Sequence, residues 1–233
     1  MTRPAHSDRA AFRVGELRLP LVVVSVLGVI SVLGSQWVRR DVARLSHERF
    51  ERVCATLVRA VQERFRPTEQ GLMTLTALVE NTGYTPHAAQ WSTHVRLVQQ
   101  YLAEGVVGLG FVKRVARGEA DALETQMRGL GYPDFVLERA GAHEQLFVVT
   151  NNAPMPLNRH ALGQDIASGT TRREAAEAAA RLGGFALSRR IRVVSADDSV
   201  PGVLLFHPVF RGSPPVTDIG RETTLVGWVY ASL

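Results

Sequence analysis

The sequence is poor in cysteine and lysine, and both shortages exclude classes of function. Cys54 and Lys113 are the sole residues of their types among 233. A single cysteine excludes an intrachain disulfide and a metal site built from several cysteines. We expect it to pack in an apolar helix face, although in an oxidising compartment it could pair with a second copy of the chain. The net charge of +5 comes from arginines that are interspersed with acidic residues, as in "RRDVARLSHERFERV". The sequence has no basic patch interleaved with aromatic residues. We therefore predict no nucleic-acid partner.

Recognisable catalytic motifs are also missing. The chain has no G-x-S-x-G, no P-loop and no H-E-x-x-H, and its histidines show no metal-ligand spacing. Asp197 and Asp198 are adjacent in a turn cluster, where their side chains diverge. We therefore predict no enzyme in this chain, no metal site and no cofactor.

One long apolar run is present near the amino terminus. Residues Leu19–Val38 carry no charge, and at 1.5 Å per residue a helix of twenty residues spans about 30 Å, the thickness of a bilayer core. Trp37 and the flanking arginines suit the membrane interface. The run predicts a transmembrane helix that follows a cytoplasmic tail (residues 1–18); a cleaved signal peptide is the alternative. Because arginines flank both ends, charge alone does not set the orientation, but we expect residues 39 onward outside the cytoplasm and the protein in the inner (plasma) membrane with a single pass.

The rest of the chain changes from a helical to a strand-rich pattern. Residues 39–105 carry apolar side chains at helical spacing and predict a helical stalk, with a break before Pro67. Residues 106–233 contain strand-like runs such as "QLFVVT" and "GVLLFHPVF", interrupted by helices such as "REAAEAAARL". The expected fold class is α+β, with the transmembrane helix continuing into a long stalk helix.

Four segments in order carry a family resemblance. They are "GFVKRVARGEADALETQM", "PLNRHALGQDI", "REAAEAAARLGGFALSRRIRV" and "GVLLFHPVF", within residues 110–210. Together they resemble the CHASE domain, the extracellular sensory module of receptor histidine kinases, diguanylate cyclases and adenylate cyclases. The resemblance implies PAS-like mixed α/β lobes on a long helix. The chain ends in the strand-like "GWVYASL", so we expect the last lobe to be incomplete and the chain to be a fragment of a larger receptor, with a truncated gene or a stand-alone subunit as alternatives.

The resemblance also implies ligand-binding residues. In cytokinin-binding members an aspartate in the equivalent stretch hydrogen-bonds the ligand, and Asp165 matches it; the alternative is that Asp165 caps a turn. Leu187 and Ser188 match a pocket wall, with ordinary strand core as the alternative. Phe206 and His207 stand where the cytokinin receptors have a small hydroxyl residue, which argues against cytokinin itself. His207 is either a structural strand residue or, if it faces the pocket, a source of pH dependence.

These features predict a membrane-anchored sensor that binds a small molecule outside the cytoplasm and signals across the membrane as the input part of a receptor kinase or cyclase. The apolar seam of the stalk predicts a homodimer. One alternative is a membrane-anchored structural or assembly protein that uses the stalk. Another is an exported hydrolase whose cleft brings His207 and Asp165 together.

Overall fold

The computed structural model describes residues 18–102, 104–194 and 199–233. Residues 1–17 of the predicted tail, and the predicted turn at Asp197 and Asp198, lie outside the described residues. The helices and strands are α1 (Arg18–Asn81), α2 (Ala88–Gln99), β1 (Gly108–Ala116), α3 (Ala120–Gly129), β2 (Gln145–Ala153), α4 (Met155–Asn158), α5 (Thr170–Leu182), β3 (Ala186–Leu187), β4 (Ile191–Val194), β5 (Ser199–Gly202), β6 (Leu204–Phe210), α6 (Asp218–Thr224) and β7 (Leu225–Ser232). The chain divides into two compact units between Val61 and Gln62, and the second unit contains every strand.

The predicted transmembrane helix is not found. Among the residues that the structure describes, no helix combines the length and the apolar character that crossing a membrane requires. The predictions of a transmembrane helix at Leu19–Val38 and of a single-pass location in the inner membrane are therefore wrong. Polar residues interrupt the apolar run of α1 at Ser25, Ser31 and Gln36.

The second half of α1 continues through the proline that was expected to end it. Pro67 lies inside the helix, although a proline there removes a backbone hydrogen bond and costs about 3 kcal/mol. The turns that follow bury Leu72, Leu75 and Val79 completely. Since burying each such side chain stabilises by about 1.5–3 kcal/mol, packing outweighs the cost of the proline.

The prediction of a mixed α/β fold is confirmed. Five strands form one antiparallel sheet in the order β2-β1-β7-β6-β3, and β4 pairs with β5 in a separate hairpin. The C-terminal strand β7 lies at the centre of this sheet, between β1 and β6. Within the second unit, the C-terminal strand is therefore an integral part of the main sheet.

Successive side chains of each strand point to opposite faces of the sheet. Both faces of this sheet are buried. One face packs against α1 and α2 through a cluster that includes Leu75, Trp91, Phe111, Leu205 and Val229. The opposite face packs against α5 through a cluster that includes Val112, Phe147, Ala176, Phe206 and Trp228. Neighbouring residues of one strand therefore point into different cores.

Candidate functional site

A cavity of about 60 Å³ lies on the face of the sheet that α5 covers; we call it the first cavity. Its floor includes Phe206, Tyr230 and Val112 from three adjacent strands. Polar side chains around the floor include His160 and Gln164 before α5, Arg172 in its first turn, and Arg192 in β4. The first cavity therefore combines aromatic walls with a few convergent polar groups, the composition typical of small-molecule sites.

The tyrosine on the floor is held by the strand beneath it. Tyr230 pairs with Gly110 of β1, where a Cβ atom would overlap the tyrosine ring. Glycine at this position lets the ring lie flat across the neighbouring strand. Burial raises the pKa of the Tyr230 hydroxyl, and the charge of Arg172 opposes that shift only in part. The phenol therefore stays protonated and offers a neutral hydrogen-bond donor and acceptor in the cavity.

Asp165 is buried and anchors the loop that borders the first cavity. One carboxylate oxygen, Oδ1, accepts hydrogen bonds from the backbone N–H of Phe147 at 2.9 Å and of Ala167 at 3.0 Å. The first bond reaches the edge strand β2, and the second caps the short 3-10 helix Ile166–Ser168. The other oxygen, Oδ2, is buried without a hydrogen-bond partner among the described residues. Asp165 does not itself line the cavity, but the residues on either side of it, Gln164 and Ile166, do.

The loop around Asp165 depends on a glycine. Gly163 has φ +81°, and a Cβ atom there would overlap the carbonyl oxygen of Val136. Its N–H donates to the carbonyl of Val149 at 2.9 Å, and its own carbonyl accepts from the N–H of Glu138 at 2.8 Å. The "LGQD" stretch thus lies between β2 and the segment around Glu138, and holds Gln164 at the cavity.

Leu187 and Ser188 lie away from the first cavity. Leu187 is in the edge strand β3 and is 48% exposed. The Ser188 hydroxyl is buried, but it donates to the carbonyl of Arg189 and accepts from the N–H of Leu204, both at 2.8 Å. Its hydrogen bonds join β3 to β6, so the geometry favours a structural role for both residues.

Phe206 and His207 point to opposite faces of the sheet. Phe206 is completely buried and lines the first cavity. His207 faces α1, where its Nδ1 lies 3.1 Å from the Thr76 hydroxyl and its ring lies 4.5 Å from the ring of Phe185. Burial lowers the pKa of His207.

The structure does not bring His207 and Asp165 together. His207 contacts Thr76 of α1, whereas Asp165 binds the backbone of Phe147 in the far edge strand. Two strands, β1 and β7, lie in the sheet between β6, which carries His207, and β2, which Asp165 borders. A hydrolytic cleft built from this pair is therefore incompatible with the fold.

Several cavity residues were not singled out from the sequence. His160 and Gln164 fall inside the family-like stretch "PLNRHALGQDI", which was a signal for them. Arg172 could not be distinguished from the other charges of its helix, because an arginine in "TTRREAA" is equally typical of a solvated face. Tyr230 looked like ordinary strand core in "GWVYASL".

Comparison with known proteins identifies the family of the chain. A family model described as CHASE domain matches residues 85–233, more than half of the chain. No curated protein matches the chain. The chain therefore belongs to the CHASE domain family, which is a sensory family and not a catalytic one.

Proposed function

From this family membership, we propose that the chain is the ligand-binding input part of a receptor whose output is a kinase or a cyclase. The single observation that carries the proposal is the convergence of polar side chains over an aromatic floor in the first cavity. Arg172, His160 and Gln164 supply hydrogen-bonding groups, while Phe206 and Tyr230 supply apolar contact. A site of this composition binds by apolar contact and selects by hydrogen bonding.

The size of the first cavity restricts the ligand. Its volume of about 60 Å³ is well below the roughly 300–1,000 Å³ of cavities that take drug-sized molecules. The ligand that fits is a compact polar metabolite with an acceptor group for the Arg172 guanidinium. An adenine derivative would require the Phe206 or Tyr230 ring to move away.

The strand β6 offers a route from the ligand to α1. Phe206 lines the first cavity, and the next residue, His207, contacts Thr76 on α1 from the other face of the sheet. A ligand that displaces the Phe206 ring would therefore shift the strand that touches the long helix. Such a signal requires that the ligand bind the two positions of the strand with different affinity.

We also propose that α1 self-associates. Exposed apolar side chains recur along one stretch of α1 at spacings of three and four residues: Phe50, Val53, Leu57 and Val61. Spacings of three and four residues place these side chains on one side of the helix, where they form an apolar stripe that a second helix can cover. A second copy of the chain carries the same stripe and would bury it in a homodimer.

The sensor proposal is tested by thermal unfolding of the full chain with a panel of compact amino acids, carboxylates and other small polar metabolites. A binding compound at a hundred times its dissociation constant should stabilise the fold by about 2.7 kcal/mol. We expect Arg172→Gln to abolish the stabilisation. The matched control is Arg189→Gln, because Arg189 is exposed and does not line the first cavity.

Two outcomes would contradict the sensor proposal. In the first, no compound stabilises the folded wild-type chain; a structural or assembly role for the α1 stripe would then be favoured. In the second, a compound stabilises wild-type and Arg172→Gln chains equally, which would place its binding outside the first cavity.

A further inference from the structure

A second and larger cavity lies on the same face of the sheet, alongside α5 from Arg173 to Arg181. Its volume is about 470 Å³, which is within the range of small-molecule sites. Its floor includes Phe147 of β2 and Trp228 of β7, while Arg173 of α5 and Arg221 of α6 lie at its wall. None of these four side chains lines the first cavity.

Three buried donors at the second cavity have no acceptor. The indole Nε1 of Trp228, the Nη1 of Arg173 and the Nε of Arg221 are buried without a hydrogen-bond partner among the described residues. Trp228 itself is completely buried. A buried donor without a hydrogen-bond partner lowers the free energy of unfolding. Three such donors on residues that line one cavity point to a ligand that brings acceptor atoms and meets them as these side chains turn towards the cavity.

The charges around the second cavity favour an anionic acceptor. Two of its three carboxylates are already engaged by arginines: Glu177 accepts from Arg173 Nε at 2.8 Å, and Asp218 lies 3.1 Å from Arg221 Nη2. Glu222 also lines the cavity. Arg114 and Arg181 complete the lining, so four guanidinium groups face three carboxylates. The balance is positive, and guanidinium groups bind carboxylates with strong charge-assisted hydrogen bonds.

The floor of the second cavity favours a flat apolar body on the ligand. The rings of Phe147 and Trp228 lie 4.5 Å apart at an interplanar angle of 49°. The Arg173 guanidinium lies 5.7 Å from the centre of the Phe147 ring. A planar ligand could contact the tryptophan ring while its charged end meets the arginines.

We propose that the second cavity binds a small carboxylate with a planar apolar body, as a site separate from the first cavity. The carboxylate accepts from the Trp228 indole N–H and from the free guanidinium N–H groups of Arg173 and Arg221. Because Arg172 lines the first cavity and Arg173 the second, α5 would respond to occupancy of either site.

Sodium benzoate is the probe, and the indole N–H resonance of Trp228 in the full chain is the readout. The chain has three tryptophans, so Trp228→Phe identifies the resonance by its loss. We expect benzoate to shift this resonance saturably, with a dissociation constant of about 1 mM or below. Benzamide has the same shape without the charge and should leave the resonance in place.

Substitutions of the arginines at the wall of the second cavity distinguish benzoate binding in this cavity from general ionic attraction. Arg173→Gln should weaken benzoate binding at least roughly tenfold, and Arg221→Gln gives a second variant on a different helix. Arg189→Gln, outside the cavity, should bind as the wild type does. The proposal is overturned if benzoate leaves the Trp228 resonance unmoved, if benzamide moves it equally, or if both wall variants bind benzoate with unchanged affinity. Arg172→Gln should retain benzoate binding, so failure of the first-cavity proposal is distinguishable from failure of this one.

Discussion

At the scale of single residues, Asp165 combines an anchoring role with an unused acceptor. Its Oδ1 holds two backbone N–H groups, while Oδ2 is buried without a partner among the described residues. The neighbours Gln164 and Ile166 line the first cavity. The cap predicted from the sequence is therefore made by Oδ1, whereas a ligand contact through Oδ2 stays a prediction.

Two substitutions at Asp165 should separate these roles. Asp165→Ala removes both backbone hydrogen bonds to a charged acceptor, and we expect the free energy of unfolding to fall by about 3 kcal/mol. Asp165→Asn keeps an oxygen in the Oδ1 position and should cost roughly 1 kcal/mol. Denaturant unfolding measures both values. If Asp165→Asn is as unstable as Asp165→Ala, the anchoring described for Oδ1 is wrong.

His207 should make the stability of the fold depend on pH. Burial lowers its pKa in the folded state, whereas the unfolded chain takes up a proton near the ordinary value of about 6.5. As the pH falls through 6.5 the unfolded state binds more protons than the folded state, so stability is lost towards acid and is fully present above about pH 7.

The measurement is the melting temperature of wild type and His207→Gln between about pH 5 and 8. We expect the wild type to lose stability more steeply below about pH 6.5 than the variant does. His143→Gln is the matched control, because His143 is exposed. Equal slopes for wild type and His207→Gln would contradict the assignment of this pH dependence to His207.

At the scale of elements, the loop before α5 depends on the backbone of Gly163. Its φ of +81° and the close approach of the Val136 carbonyl leave no room for a side chain. Gly163→Ala should destabilise the fold by more than about 3 kcal/mol. Gly184→Ala should be tolerated, since Gly184 has no positive φ and nothing near its Cβ position. Denaturant unfolding of the two variants checks this, and a stable Gly163→Ala would refute the loop geometry.

The exposed stripe of α1 makes a prediction about self-association. Cys54 is a free, partly exposed thiol beside Val53 of the stripe. If two parallel copies pack through this stripe, mild oxidation should produce a covalent dimer, and Leu57→Glu should reduce its yield by placing like charges in the seam. Non-reducing electrophoresis measures the yield, with Cys54→Ser as the control. A monomer in sedimentation at all concentrations, with no cross-linked product, would contradict the dimer.

Local patterns predicted most elements, and tertiary contacts explain the differences. The apolar runs of β2 and β6 and the Ala-rich α5 were found from periodicity alone. The segment Phe135–Arg139, "FVLER", has a strand-like sequence but forms no strand, because its neighbour is the irregular "LGQD" loop, which binds it through Glu138. The "TRRE" stretch has the pattern of a capping box, but α5 begins at Thr170 and the Glu174 carboxylate lies 3.1 Å from Arg189 Nη2.

At the scale of the whole molecule, the family was predictable from sequence and the site was predictable only in part. Phe206 was expected at the pocket, and it lines the first cavity. His207 was expected beside it, but strand alternation turns it towards α1. Arg172 was missed because the sequence does not reveal which charged residues of a helix face inward. The apolar run of α1 was overinterpreted as a membrane span.

The central claim is that binding of a ligand in the first cavity changes the contact between His207 and α1, on the other face of the sheet. The most direct test is the imidazole resonance of His207 in the full chain, assigned with His207→Gln, during titration with the most stabilising metabolite of the thermal screen. We predict a saturable shift with the same dissociation constant as binding measured by calorimetry, and loss of the shift in Arg172→Gln. Binding by calorimetry with an unmoved His207 resonance would contradict the account.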